Sequence, residues 1–198
     1  MTYPSERANH ARAQTAERDP LTQTLTRQAF ADQLATRLER ARRDAEPFGV
    51  CLVDLDRFKN INLSHGPSRG DDVLRDVAAR LVRTIKATTD HPADPVVARY
   101  DGNAFAVIVE TLSLRQLADA ADEARRAITA APSADGTKLS ASVGAVLARI
   151  GEGADSLLLR AEQALFLAKQ SGRDRIEVAA GPEPQRAEPI VLSLRRRA

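Results

Sequence analysis

A short, uninterrupted apolar segment is the feature that most restricts how this chain can fold. The segment FGVCLVD, residues 48–54, has the length of a single strand, and its continuous apolar character is typical of a fully buried strand. Pro47 and Gly49 end the helical periodicity that precedes it. The chain is therefore expected to build a sheet around this strand and to bury it with the surrounding elements.

Amphipathic helices alternate with strands along the rest of the chain. The sequence VVARY-DG-NAFAVIV predicts a hairpin, because Asp101-Gly102 between apolar runs is a preferred type I′ turn sequence. Residues 138–150 and 175–178 are predicted to add two more strands. Apolar residues recur at three- and four-residue spacing in four segments, which predicts helices over residues 26–45, 71–87, 113–130 and 154–170.

The order of these elements predicts the fold. Strand, helix, hairpin, helix and strand follow the β-α-β-β-α-β plan of ferredoxin-like domains, in which an antiparallel sheet carries its helices on one face. A further helix and a short strand extend this plan. The predicted class is therefore α/β (α+β): a ferredoxin-like, nucleotidyl-cyclase-like domain with a central, mainly antiparallel five-stranded sheet flanked by helices.

The two ends of the chain differ in composition from its centre. Residues 1–18 are polar and rich in helix formers, and they are expected to form a leader helix or linker before a domain over residues 19–180. Residues 181–198 are rich in Pro and Arg and are expected to form a tail, whose IVLSL run is a candidate to dock on a sheet edge. The start, MTYPSERANHAR, lacks the apolar region of a secretory signal.

Composition and charge exclude several classes of partner. No apolar run approaches the ~18 residues of a membrane span, so no membrane insertion is expected. Lys and Arg number 29 against 27 Asp and Glu, for a net charge of +2, and aromatic residues make up 4%, which argues against nucleic acid as a partner. The single cysteine, Cys51, allows no intramolecular disulfide, so we expect a reducing, cytoplasmic location.

Two acidic residues mark the first candidate site. Asp54 and Asp56 follow the buried strand at a spacing of two, and because a strand end usually turns away there, at least one is expected to enter a site beyond the strand. In ferredoxin-like nucleotidyl transferases an Asp at this place holds Mg²⁺, which prefers oxygen ligands. The alternative is that both acids are solvated or cap a helix.

Several spaced motifs resemble the GGDEF domain of diguanylate cyclases. DLDRFKNIN followed by HGPSRGDDVL is similar to the family's D-x-D-x-F-K-x-I-N-D and G-H-x-x-G-D. In the same order, DPLTQTLTRQAF (19–30), SASVGAV (140–146) and AEQALFLAKQSGRDRI (161–176) are similar to its opening, a later strand and its late helix. The resemblance covers residues 19–178.

The resemblance implies a function and a set of site residues. Members of the family condense two GTP molecules into cyclic di-GMP and release pyrophosphate, with two domains face to face and Mg²⁺ accompanying GTP. By position, Asp54 matches the metal ligand, and Asn62 and Asp71 match the pair that hydrogen-bonds the guanine edge. The residues that match the surroundings of the phosphates are Lys169, Arg173, Lys59 and the backbone at Phe58.

Each of these residues also has a purely structural interpretation. Asp71 is suited to cap the helix over 71–87, and Asn62 stands before Gly66 in what reads as a helix-ending loop. Lys169 and Arg173 lie near the C-terminus of a predicted helix, where the helix dipole favours cations.

The family's defining turn, Gly-Gly-Asp/Glu-Glu-Phe, is altered. The matching residues are Asp101, Gly102, Asn103, Ala104 and Phe105, so three of five positions differ and both acids are missing. Asn103 offers a neutral amide as a weak metal ligand, and Ala104 offers no polar atom. An R-x-x-D inhibitory product site would fall at Pro92 and Pro95 and is absent.

Three hypotheses follow. The first is a catalytically inactive GGDEF domain that serves as a regulatory, GTP-binding, protein-interaction module in bacterial cyclic di-GMP signalling, with a protein partner or a second copy of itself. The second is a weak residual cyclase that uses Asp54, Asp56 and Asn103 with Mg²⁺ or Mn²⁺. The third is an interaction scaffold with no nucleotide, whose contacts come from residues 5–18 or 181–198.

Overall fold

Five helices and five strands make up the part of the chain that the computed structural model describes, residues 17–88, 95–111, 113–130, 136 and 138–179. The elements in chain order are α1 (Arg27–Asp44), β1 (Phe48–Leu55), α2 (Phe58–His65), α3 (Pro67–Thr88), β2 (Val96–Asp101), β3 (Ala104–Glu110), α4 (Leu114–Thr129), β4 (Ala141–Leu147), α5 (Ala154–Gln170) and β5 (Ile176–Ala179).

The strands form one sheet in the order β2-β3-β1-β4-β5. β1 pairs antiparallel with β3 and β4, and β2 pairs antiparallel with β3, while β5 lies parallel to β4. This arrangement confirms the mainly antiparallel five-stranded sheet. It also confirms the central place of the FGVCLVD segment, since β1 has paired neighbours on both sides.

Helices cover both faces of the sheet, so the expectation of helices on one face is wrong. Val53 and neighbouring side chains pack into a cluster with α3 and α4, whereas Leu52 packs into a second cluster with α1 and α5. The reason lies in the pleat of β1, whose successive side chains point to opposite faces and are apolar on both. An apolar strand of this kind needs a layer on each side.

The predicted amphipathic helices are confirmed over α1, α4 and α5, and the helix predicted over 71–87 is confirmed within α3, which begins four residues earlier. The segment between β1 and α3 differs from the prediction. A helix, α2, was not expected over residues 58–65, because eight residues are too few to show a helical period and none of their side chains is fully buried. Gly66, with φ +84°, ends α2, and Pro67 begins α3. Asp71 therefore lies inside α3 and is not its cap, and Asn62 lies inside α2 and not in a loop.

The hairpin between β2 and β3 is confirmed, but its turn is shifted by one residue. Asp101 is the last residue of β2, and Gly102 and Asn103 form the connection. Only Gly102 of the turn has positive φ, whereas a type I′ turn needs positive φ at both central residues. A register shift between Arg99 and Asp101 accounts for the displacement.

The remaining expectations concern the later strands and the chain ends. β4 is shorter than the predicted 138–150, and β5 begins and ends one residue later than predicted. Residues 1–16 and the tail over 181–198 lie outside the described residues, and Arg18 bridges to Leu25 instead of continuing a leader helix. No described helix combines the length and apolar character that a membrane crossing requires.

Candidate functional site

The altered hairpin lies directly beside Asp54. In the sheet register Ala104 is the partner of Asp54 from β3, Ser142 is its partner from β4, and Asp101 is the partner of Ala104 from β2. Residues that are directly opposite in antiparallel pairs share one face of the sheet and have Cβ atoms about 4.5–5.5 Å apart. The methyl group of Ala104 therefore stands next to the Asp54 carboxylate.

Lys169 neutralises the Asp54 carboxylate. Its Nζ lies 2.8 Å from Asp54 Oδ2. The Lys169 side chain is 35% exposed and the Asp54 side chain is 17% exposed. Close packing of α5 on β4 fixes this approach, since a Cβ on Gly144 would lie 2.2 Å from the backbone nitrogen of Leu165. The two predicted site residues Asp54 and Lys169 therefore come together as an ion pair.

Asp56 has a structural role that sequence reasoning missed. Its buried carboxylate accepts hydrogen bonds from Ser142 Oγ (2.7 Å), Ser140 Oγ (2.9 Å) and the backbone N–H of Asp174 (3.0 Å). These donors hold the Asp56 carboxylate in the protein interior and tie the end of β1 to the loop between α5 and β5, which carries Asp174. Asp56 is therefore occupied as an anchor and is a poor candidate for a metal ligand.

The loop that Asp56 anchors carries Arg173. Gly172, Arg173 and Asp174 all have positive φ, and the Arg173 N–H donates to the Ala168 carbonyl at 3.1 Å. Asp174 is held a second time, by Arg125 Nη1 at 2.7 Å. The Arg173 side chain is exposed and makes no hydrogen bond or ion pair within the described residues.

The predicted guanine-binding pair lies where α2 and α3 cross. Asn62 Oδ1 is buried without a hydrogen-bond partner among the described residues, and a Cβ added to Gly70 would lie 1.9 Å from it. Asp71 follows Gly70 directly and is half-buried. Phe58, half-buried, packs against the same glycine, and Lys59 is exposed beside it on the first turn of α2.

The residues present do not fit the resident magnesium ion that the resemblance implies. Asp54 already holds an ammonium group, and Asn103 donates its amide N–H to the Leu55 carbonyl at 3.0 Å. Ala104 has no donor atom, and Phe105 is fully buried. Across the described ranges, no three His, Cys, Asp or Glu side chains come together as a metal-binding group.

Arg99 connects the hairpin to the segment before α1. Its Nε donates to the Gly102 carbonyl at 3.0 Å, and its Nη1 lies 3.3 Å from Asp19 Oδ2. Burial alone raises the pKa of Asp19, but the N–H and hydroxyl of Thr22 and the Arg99 guanidinium together lower it below its ordinary value. In the sequence, Asp19 stands in the DPLTQTLTRQAF segment and Arg99 in the predicted hairpin. Nothing in the sequence predicts the contact between them.

The comparison with known families decides what kind of domain this is. The sequence model of the family described as "Diguanylate cyclase, GGDEF domain" matches residues 16–175. The chain belongs to the GGDEF domain family. This family is that of the diguanylate cyclases of cyclic di-GMP signalling, and the membership confirms the resemblance and the fold that it implied.

Individual relatives agree with this assignment. The chain is 33% identical over 169 residues to the diguanylate cyclase DgcP of Pseudomonas aeruginosa, covering 84% of this chain and 24% of DgcP. The curated relatives are longer proteins, of which the chain spans about a quarter to a third, for example 35% of the response regulator PleD of Caulobacter vibrioides.

A solved structure matches over almost its whole length. The coiled coil and GGDEF domain of DgcB from Caulobacter crescentus, in complex with c-di-GMP, superposes with a TM-score of 0.76 at 28% identity, covering 88% of this chain and 93% of that one.

Proposed function

We propose that this GGDEF domain is catalytically inactive and acts as a GTP-binding regulatory module in cyclic di-GMP signalling. The observation that carries the proposal is the cross-strand position of Ala104 against Asp54. In the family motif this position holds an acid. A methyl group there leaves the Asp54 carboxylate with Lys169 as a charged partner and with no acid at its cross-strand position on β3.

The loss of the acids bears on the chemistry directly. Cyclisation requires a 3′-hydroxyl to attack an α-phosphate in line while pyrophosphate leaves, and charge must be stabilised on both oxygens. Each ~1.4 kcal/mol of lost transition-state stabilisation lowers the rate about tenfold. Asp101 further adds an anion at the exposed end of β2, on the approach of a negatively charged substrate.

The residues that match the family's nucleotide contacts support the GTP-binding part of the proposal. The unpartnered Asn62 amide oxygen beside Asp71 supports guanine binding, because a buried polar atom without a partner is rare unless a ligand or water satisfies it. Lys169 and Arg173 lie on and just after the end of α5, and Lys59 lies on α2 after β1, so three cations support phosphate binding.

The regulatory part of the proposal concerns partners and context. We propose a cytoplasmic domain over residues 19–180, flanked by residues 1–18 and 181–198, that works through a protein partner or a second copy of itself. A related structure supports the idea of a protein partner: the diguanylate cyclase SiaD of Pseudomonas aeruginosa was solved in complex with its activator SiaC. SiaD is 28% identical to this chain and superposes with a TM-score of 0.74. The match covers 87% of this chain and 66% of the SiaD chain.

A cyclase assay tests the proposal. The natural protein incubated with GTP is expected to yield no cyclic di-GMP by chromatography, whereas the triple variant Asp101→Gly, Asn103→Asp, Ala104→Glu is expected to gain activity. The matched control is Asp101→Gly alone, which removes the anion but restores no acid and should stay inactive. Cyclic di-GMP formed by the natural protein would contradict the proposal.

A specific observation favours a second candidate, an interaction scaffold without nucleotide. Three large apolar side chains on α5 are more than half exposed: Leu159 (55%), Phe166 (58%) and Leu167 (52%). Exposed apolar groups that cluster on one element often mark a contact with another protein. The repaired triple variant separates the two candidates, because a scaffold with a decayed pocket would remain inactive after the repair.

A further inference from the structure

We propose that this site binds GTP without a divalent cation, with Lys169 taking the place of the metal beside Asp54. The inference rests on the GTP binding proposed above and extends it to the form of the ligand. It departs from the expectation, drawn from the resemblance alone, that Mg²⁺ accompanies the nucleotide.

The ion pair between Asp54 and Lys169 bears directly on metal binding. Asp54 Oδ2 already has an ammonium group at 2.8 Å, and the Asp54 side chain is only 17% exposed. A magnesium ion at this carboxylate must displace Lys169 or sit beside it, and two cations on one carboxylate repel each other. The pairing therefore opposes the binding of a metal by Asp54.

Few further metal ligands are available beside Asp54 among the described residues. Mg²⁺ requires near-octahedral oxygen coordination and gives up its water reluctantly. The neighbouring side chain, Ala104, offers no oxygen, and the Asp56 carboxylate is occupied by three donors in the interior. The Asn103 amide group is tied to β1 through its nitrogen. Only one carboxylate is left to hold the ion beside the phosphates, and it is already paired with Lys169.

Lys169, Arg173 and Lys59 supply the positive charge that we expect to bind the phosphates. A lysine ammonium group has three N–H donors, and one of them is used on Asp54, so Lys169 can bridge the carboxylate and a phosphate. Arg173 is exposed on a loop that is held at Asp174, and its guanidinium is suited to bidentate contact with a phosphate. Lys59 on α2 adds a third positive charge. Metal-free GTP carries more negative charge than its magnesium complex, so it is the better match for these cations.

The proposal reverses the expected effect of replacing Asp54 on the affinity for GTP. If Asp54 served to hold a metal, Asp54→Asn would weaken GTP binding. In the arrangement described here, the Asp54 carboxylate offsets the positive charge of the bridging Lys169 and so competes with the phosphates for that charge. The same isosteric change should therefore tighten binding about threefold to tenfold. Lys169→Met should weaken binding about tenfold or more, because it removes the bridging cation.

Calorimetric titration with the sodium salt of GTP tests the proposal in two buffers, one with excess EDTA and one with excess Mg²⁺. We expect the Kd for GTP in EDTA to be equal to or lower than the Kd in Mg²⁺. We also expect Asp54→Asn to lower the Kd and Lys169→Met to raise it. The matched controls lie away from the site. Asp44→Asn removes a carboxylate from the ion pair with Arg43 before β1, and Lys86→Met removes a lysine near the end of α3; neither should change the Kd.

The outcomes separate this inference from the proposed function. Binding that occurs only with Mg²⁺ would overturn metal-free binding and leave GTP binding intact. Binding in neither buffer would overturn the GTP-binding function and the inference with it. Weaker binding by Asp54→Asn, with the natural circular dichroism spectrum retained, would also contradict the competition between Asp54 and the phosphates.

Discussion

Replacement of Asp56 tests how the site is anchored. The buried carboxylate accepts three hydrogen bonds, from Ser142, Ser140 and the Asp174 backbone, and it ties the loop of Arg173 to the end of β1. Asp56→Ala removes all three acceptor contacts at once. The two hydroxyl groups can rotate to other partners, but the Asp174 N–H cannot, so at least one part-buried donor loses its partner.

The size of the effect follows from these contacts. A hydrogen bond to a charged group contributes about 1.5–3 kcal/mol, and an orphaned buried donor costs about 1–3 kcal/mol. Because the hydroxyl groups adapt, we expect Asp56→Ala to lower the free energy of unfolding by about 3–5 kcal/mol. With an m-value of about 2 kcal/mol/M, the urea midpoint should fall by about 1.5–2.5 M.

Asp56→Asn should be tolerated much better. Its amide oxygen can accept from Ser140 and Asp174 while its NH₂ donates to the Ser142 hydroxyl group, which is also an acceptor. Only the charge assistance is lost, so we expect a decrease of about 1–2 kcal/mol.

Urea unfolding followed by circular dichroism measures these differences. The control is Asp32→Ala on the exposed face of α1. We expect it to change the free energy of unfolding by no more than about 0.5 kcal/mol. If Asp56→Ala and Asp32→Ala shift the midpoint equally, Asp56 is not an anchor. If Asp56→Asn is as damaging as Asp56→Ala, the negative charge is essential and the hydrogen-bond argument fails.

Three further predictions follow from particular contacts. Gly70→Ala should displace Asn62, whose amide oxygen would lie 1.9 Å from the new Cβ, and so weaken GTP binding about tenfold with the fold retained; an unchanged Kd in calorimetry would count against Asn62 as a ligand. Burial raises the pKa of Cys51 to about 12, so a thiol reagent at pH 8 should label it only after unfolding, and rapid labelling of the native protein would contradict its burial. Burial alone raises the pKa of Glu152, but contacts led by Arg160 lower it below 4.5, so this carboxylate stabilises the fold above that pH and loses its contribution as the pH falls through the lowered pKa. Urea midpoints measured between pH 6 and 3 should therefore fall more steeply for the natural protein than for Glu152→Gln, and parallel curves would refute this.

Secondary-structure elements were predictable from the sequence where their apolar pattern was clear. The helix over 154–170 has the predicted bounds, because Leu157, Ala161, Ala164 and Ala168 recur at helical spacing and this buried stripe packs on β4 and β1. The position of β1 was predictable for the same reason. By contrast, α2 has no buried stripe, so only the left-handed residues that flank it, Arg57 and Gly66, define its limits, and these conformations are properties of the folded chain.

The candidate site was predictable in its members and not in their contacts. Motif order pointed to Asp54 and Lys169, but their ion pair depends on how closely α5 approaches β4, which Gly144 permits. Asp54 and Asp56 look equivalent in the sequence, yet one faces a cation at the surface and the other is enclosed by donors from residues more than 80 positions away. Long-range contacts of this kind have no local signal.

The central claim, a nucleotide pocket that has lost its chemistry, is tested most directly by one titration. The natural protein is titrated with GTP in a calorimeter, with ATP as the control for guanine recognition, and the final mixture is analysed by chromatography. The account predicts saturable heat for GTP, none for ATP, and recovery of unchanged GTP. Cyclic di-GMP in the mixture would contradict the loss of catalysis, and the absence of heat with GTP would contradict the retained pocket.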